Sequence, residues 1–206
     1  MNALEMAILI IFHPIITFQH IKRLRGKFRY TPILVILFLI IAVRCFSIYV
    51  THFPLTTVES RDANVFLEIV KLILPIVTWT LASYSMTTIL DGESQFRETL
   101  LATAYCMMPY IIVMIPLTLL TRILEVGQES LYYSIETIMW IWIIWLLFYS
   151  LKEMNEYSVS KAVIIALLSV FTMIIVWATV VLFFAISAQF LNFIKEVFVE
   201  FRLKFY

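Results

Sequence analysis

Glycine is almost missing, with 3 residues in 206, and cysteine is scarcer still, with 2. So little glycine leaves few places where helix backbones can approach through small side chains. Cys45 and Cys106 fall inside or beside apolar runs. Their spacing suits neither a disulfide nor a metal site, and both read as small buried side chains. Charge is thin as well: 14% of residues are charged and the formal net charge is +1, against about 25% charged in an average soluble domain. That balance argues against a nucleic-acid partner, which would need a basic surface. No G-x-S-x-G, H-E-x-x-H or phosphate-cradling glycine loop occurs in the sequence, so no hydrolase, zinc-protease or nucleotide motif is present. His13, His20 and His52 lie too far apart in the expected topology to share a metal. No enzymatic activity, cofactor or metal is therefore expected. There is also no soluble domain, low-complexity linker or internal repeat, and no small-residue cleavage site of a removed signal peptide.

What the chain has in quantity is apolar surface: 63% of residues are hydrophobic and the mean hydropathy is +0.98. A soluble chain of this size still exposes about a quarter to a third of its surface. This sequence has too little polar material to cover that area, so its solvent is lipid. In hydrocarbon every backbone polar group pairs internally, which leaves helices or a closed barrel. Barrel strands alternate polar and apolar over about ten residues. These runs do not alternate, and several exceed the ~18 residues that mark a spanning helix. The expected fold is all-α: a polytopic helical membrane protein of about five transmembrane helices, with interfacial amphipathic helices at both ends.

Residues 1–206 read as a single membrane domain in three parts. Residues 1–30 form an interfacial and basic segment. Pro14 breaks its apolar stretch, so residues 1–21 are expected to lie in the interface or dip part-way in, rather than cross. Lys22, Arg23, Arg25, Lys27 and Arg29 follow, a cluster that sets the amino terminus as cytoplasmic and is able to contact anionic lipid head groups. Residues 31–187 form the five-span bundle, with spans expected over 31–50, 65–90, 100–122, 131–151 and 162–187. Asp91–Thr99 and Lys152–Lys161 make the inner turns, where Ser158 is placed to cap the next helix. Residues 188–206 read as an amphipathic helix, with Phe190, Phe193, Ile194, Val197, Phe198 and Phe201 on one side and Lys195, Glu196, Glu200 and Lys204 on the other.

Ionisable side chains inside spans are functional candidates by default. Arg44, Glu68, Lys71 and Glu136 qualify. At about 1.5 Å per residue, all four sit roughly 5–9 Å below the outer ends of their spans. They share a depth, their charges cancel, and Glu68 and Lys71 share a helix face. Two readings are open. One is an ion-pair network that pins helices together; the other is a polar pocket near the outer leaflet for a solute, ion or lipid head group. Trp140, Trp142 and Trp145 lie mid-span and read as packing rather than as an aromatic belt.

The longest break between membrane-length runs, LDGESQFRETLLATAYCMMPY over residues 90–110, carries the most distinctive inner-face motif: Asp91, Gly92 and Glu93, then Tyr105 and Pro109. Glu98 is placed to stabilise the start of the following helix. These residues, together with Asn64, Pro75 and Trp79, Phe96, Ala104-Tyr105-Cys106, and Tyr157-Ser158 with Lys161, resemble the Yip (Ypt-interacting protein) domain family in their order and spacing. His13-Pro14, Phe18, Ile21-Lys22 and Gly26-Lys27 resemble the amino-terminal segment of its bacterial members. Ser94 and Ala104 stand where the family pattern has glycine. The resemblance covers most of the chain and implies a five-span bundle of bacterial type without an enzymatic mechanism. The soluble region with the Asp-Leu-Tyr-Gly-Pro motif of eukaryotic members is not in this sequence, so a Rab-type GTPase partner is not carried over.

Together these observations point to a multi-pass protein of a bacterial cell membrane. Its expected role is a non-enzymatic scaffold or accessory subunit, with an ABC-type transporter complex as one setting. Its expected partners are the bilayer and either another membrane protein or a second copy. A small transporter or channel is the alternative, on the strength of Pro109, Pro116 and the four intramembrane charges. Membrane shaping by residues 1–21 and 188–206 is a third reading.

Overall fold

The computed structural model describes residues 3–23, 30–51, 64–123 and 128–204. Among these there are eight helical segments and no strand. Arg25, Lys27, Arg29, His52 and most of the 51–64 loop lie outside the described residues, as do the side chains beyond Glu196.

Helices α1 (Ala3–Phe12) and α2 (Pro14–Arg23) are one path bent at Pro14. Proline lacks the N–H that would continue the ladder, while His13 N–H still donates to Leu9 O at 2.6 Å and Thr17 N–H to His13 O at 3.3 Å. Met6, Ile10, Thr17, Phe18 and Ile21 are buried. α2 packs on α7 and α5, and α1 on α6 and α5.

Among the described residues five helices are long and apolar enough to cross a membrane: Thr31–Val50 (α3), Val65–Ile89 (α4), Phe96–Leu120, Glu129–Met154 (α7) and Val159–Glu196, within α8 (Val159–Lys204). Asn64 starts α4 by accepting the Leu67 N–H, which satisfies one of the orphan donors at a helix start. The third crossing is split into α5 (Phe96–Cys106) and α6 (Met108–Leu120). Pro109, in the first turn of α6, makes the split, because its ring and missing N–H do not fit a helix interior. Met107 N–H turns back to Ala104 O at 3.1 Å, whereas Pro116 sits inside α6 without breaking it.

This split crossing is the centre of the bundle. Of its most apolar stretch 67% is buried, against 28% for α3, α4 and α7 and 11% for α8. Thr80, Thr118 and Ser169 are buried there or beside it, and each donates its hydroxyl to the carbonyl four residues back at 2.7–2.8 Å. Their own helices thus satisfy these hydroxyls without a partner.

The fifth crossing differs from the expected layout. Instead of a span ending near Ser187 and a separate carboxyl-terminal helix, α8 runs unbroken for 46 residues. No glycine or proline occurs between Val159 and Lys204 to stop it. α8 packs chiefly on α4, where the Trp177 indole N–H donates to Thr78 Oγ1 at 3.2 Å. Beyond that contact Leu182, Phe183, Phe184, Ile186, Phe190 and Phe193 are all exposed.

Candidate functional site

Two arrangements of polar side chains sit at opposite ends of the bundle. At the first, α4 and α7 finish side by side, and both finish the same way. Past the end of α4, Asp91 has φ 57° and the Gly92 N–H reaches back to Thr87 O at 2.7 Å. Past the end of α7, Glu156 has φ 52° and the Tyr157 N–H reaches back to Lys152 O at 3.1 Å. Each is a six-to-one closure around a left-handed residue, which satisfies carbonyls a helix end would otherwise leave open.

The two ends then clasp each other. Asn155 Nδ2 donates to Leu151 O at 2.9 Å, which turns its Oδ1 to accept the Ser94 N–H at 3.1 Å. The Tyr157 hydroxyl donates to Leu90 O at 3.2 Å and lies 3.4 Å from Thr87 O. Burial first, and the Asp91 carboxylate second, push the Tyr157 hydroxyl above its usual range, so it remains a donor. Gly92 sits where these parts converge: a Cβ there would lie 2.7 Å from each of Asn155 Oδ1, Thr87 O and Tyr157 Oη. Gln95 and Glu98 form a capping box that starts α5, as expected for Glu98, and Ser158 Oγ accepts the Lys161 N–H at 3.4 Å at the start of α8.

α2 joins this clasp. Lys22 Nζ lies 2.8 Å from Glu93 and 2.7 Å from Glu156. Burial alone would lower its pKa, but the hydrogen bonds and charges of the two carboxylates raise it further, and the net shift is upward. Gln19 donates to Glu153 at 3.2 Å. Lys22, expected at lipid head groups, is thus held by carboxylates, while Arg23 is exposed. Tyr105 and Pro109 are buried in the central crossing. Asn155 and Glu156 were not singled out from sequence; the available signal was an Asn that closes a long apolar run, which suits a helix end.

At the other end, Arg44 from α3 and Lys71 from α4 converge on Glu68. Glu68 accepts from Arg44 Nη2 on one oxygen and from Lys71 Nζ, at 2.7 Å, on the other. Lys71 is at the rim, its side chain 72% exposed, while Arg44 and Glu68 are each about three-quarters covered. The three line a cavity of about 380 Å³ with Glu136, Tyr110, Trp140 and apolar residues of α4, α7 and α8. Glu136 makes no ion pair among the described residues. Tyr110 is 2% exposed. Its hydroxyl is directed toward Arg44 without completing a well-formed hydrogen bond among the described residues.

Toward the clasp the cavity narrows to a gap of about 10 Å³ among Ser83, Thr87, Thr99, Ser150 and Asn155, barely the size of one water. Sideways it adjoins a second cavity of about 370 Å³ between α4, α7 and α8, with which it shares Trp79, Ile144 and Leu147.

The fold and these two ends define a multi-pass helical membrane protein. A family model described as Yip1 domain matches residues 8–192. The chain belongs to the Yip1 domain family. No curated protein and no solved structure matches it.

Proposed function

We propose that the protein is a non-enzymatic scaffold or accessory subunit that holds another membrane protein through α8, with its clasp end facing the cytoplasm. The observation that carries this reading is the mismatch between α8 and its surroundings. At about 1.5 Å per residue the helix is roughly 70 Å long, against a hydrocarbon core of about 30 Å. Its exposed apolar side chains continue well past the Trp177–Thr78 hydrogen bond, as far as Phe193, farther than lipid alone covers. An apolar partner helix is the natural cover. An ABC-type transporter is the first partner to test.

The test places a photo-crosslinking residue at Phe184 in native membranes. A single protein adduct, lost when the chain is ended after Ser187, is the expected result. Lipid adducts alone overturn the reading. A small transporter is the second reading, favoured by the cavity that Arg44 and Glu136 line together; solute flux into vesicles, abolished by Glu136→Gln, is its test.

A further inference from the structure

The cavity at Arg44 has walls of unlike charge. On the α3–α4 wall, Arg44 and Lys71 share one carboxylate, Glu68, which leaves that wall one positive charge in excess. On the α7 wall, Glu136 supplies a negative charge with no cation paired to it among the described residues. Glu136 and Trp140 are four residues apart on one helix, so they share a face, and both line the cavity. A carboxylate beside an indole suits an ammonium group, by charge and by the attraction of a cation to the ring. The other wall suits a phosphate, because Arg44 has donors beyond the one given to Glu68. The buried Tyr110 hydroxyl, which has no well-formed hydrogen bond among the described residues, adds a further donor inside the cavity. Polar groups this deep in a membrane are costly when unpaired.

Below the charges the lining turns apolar. The shared residues Trp79, Ile144 and Leu147 join the cavity to the groove along α8, whose remaining lining is Phe148, Val163, Ala166, Leu167 and Val170. A polar end carrying both charges, followed by an apolar channel open to the bilayer, matches one kind of molecule. We propose that this cavity binds a single zwitterionic phospholipid: phosphate at Arg44 and Lys71, ammonium at Glu136 and Trp140, and an acyl chain in the groove beside α8. The volume of the polar part, about 380 Å³, lies within the roughly 300–1,000 Å³ usual for ligand pockets.

Native mass spectrometry of the delipidated full chain tests this, with phosphatidylethanolamine and phosphatidylglycerol of identical acyl chains as probes. The expected result is one phosphatidylethanolamine per chain, retained about tenfold more strongly than phosphatidylglycerol, the scale of a hydrogen bond to a charged group. Glu136→Gln removes that preference. Ile144→Trp, which puts an indole where the two cavities meet, weakens both lipids together. Equal retention of the two lipids by the unaltered protein overturns the head-group assignment without any variant having to fold. Displacement of the lipid by free phosphoethanolamine at equal concentration overturns the acyl groove and makes the cavity a solute site.

Discussion

Gly92 shows how much one missing side chain decides. Nothing about its neighbours in sequence announces a tight fit, yet three oxygens from two helix ends converge on the place where a Cβ would stand. One is the Thr87 backbone carbonyl, which cannot swing aside. Gly92→Ala is therefore expected to lower stability by about 1–3 kcal/mol, the usual cost of forcing a group into a packed site, read as a drop in the thermal midpoint in mild detergent. Lys22 contributes to the same clasp through charge. Its folded pKa is raised above the ordinary 10.5. Its contribution is fully present below that value and is lost as pH rises through the higher folded one. The Lys22 contribution is thus expected to stay constant in melts between pH 7 and 9, with loss confined to more alkaline solution. The same scan on Lys22→Met, which has no such charge to lose, checks the assignment.

Helix ends and helix breaks account for most of the architecture, and they differ in how plainly they can be read. Pro14 and Pro109 declare their breaks in the sequence, since a missing N–H has the same effect anywhere. The starts of α3 and α4 are equally plain, because Pro32 suits the first turn of α3 and Asn64 caps the long apolar run of α4. Arg44, Glu68, Lys71 and Glu136 share a depth in the sequence and line one cavity in the fold, but depth does not tell that Glu136 stays out of the ion pairs of the other three. Two features were not legible. The continuation of α8 past Ser187 depends on the lack of any stop signal, which a reader expecting a span of ordinary length overlooks. Asn155 and Tyr157 acquire their meaning only when α4 and α7 finish beside each other, a matter of packing. Glu68 is the hinge of the triad, and removing it leaves two cations facing each other. Glu68→Gln is expected to cost about 1–3 kcal/mol, less than a fully buried pair would because the site is partly open. Lys71→Gln, at the rim, is expected to cost under about 1 kcal/mol. Parallel thermal melts of the two variants make the comparison.

The molecule as a whole is a bundle shut at one end and hollow at the other. The clasp ties α2, α4, α5 and α7 together through hydrogen bonds and ion pairs that leave only a gap of about 10 Å³, while the opposite end keeps a charged cavity that adjoins a groove beside α8. Membership of the Yip1 domain family agrees with a protein that is mostly membrane helix. The scaffold reading and the lipid reading both require that the clasp and the cavity lie on opposite faces of one bilayer. Lys71 and Glu156 are well exposed and mark the two faces. The direct measurement is labelling of Lys71→Cys and of Glu156→Cys, each in a chain also carrying Cys45→Ser and Cys106→Ala, with a membrane-impermeant thiol reagent on sealed vesicles of one orientation. Labelling of one position from outside and of the other only after the vesicles are opened is the predicted result; labelling of both from the same side would contradict it.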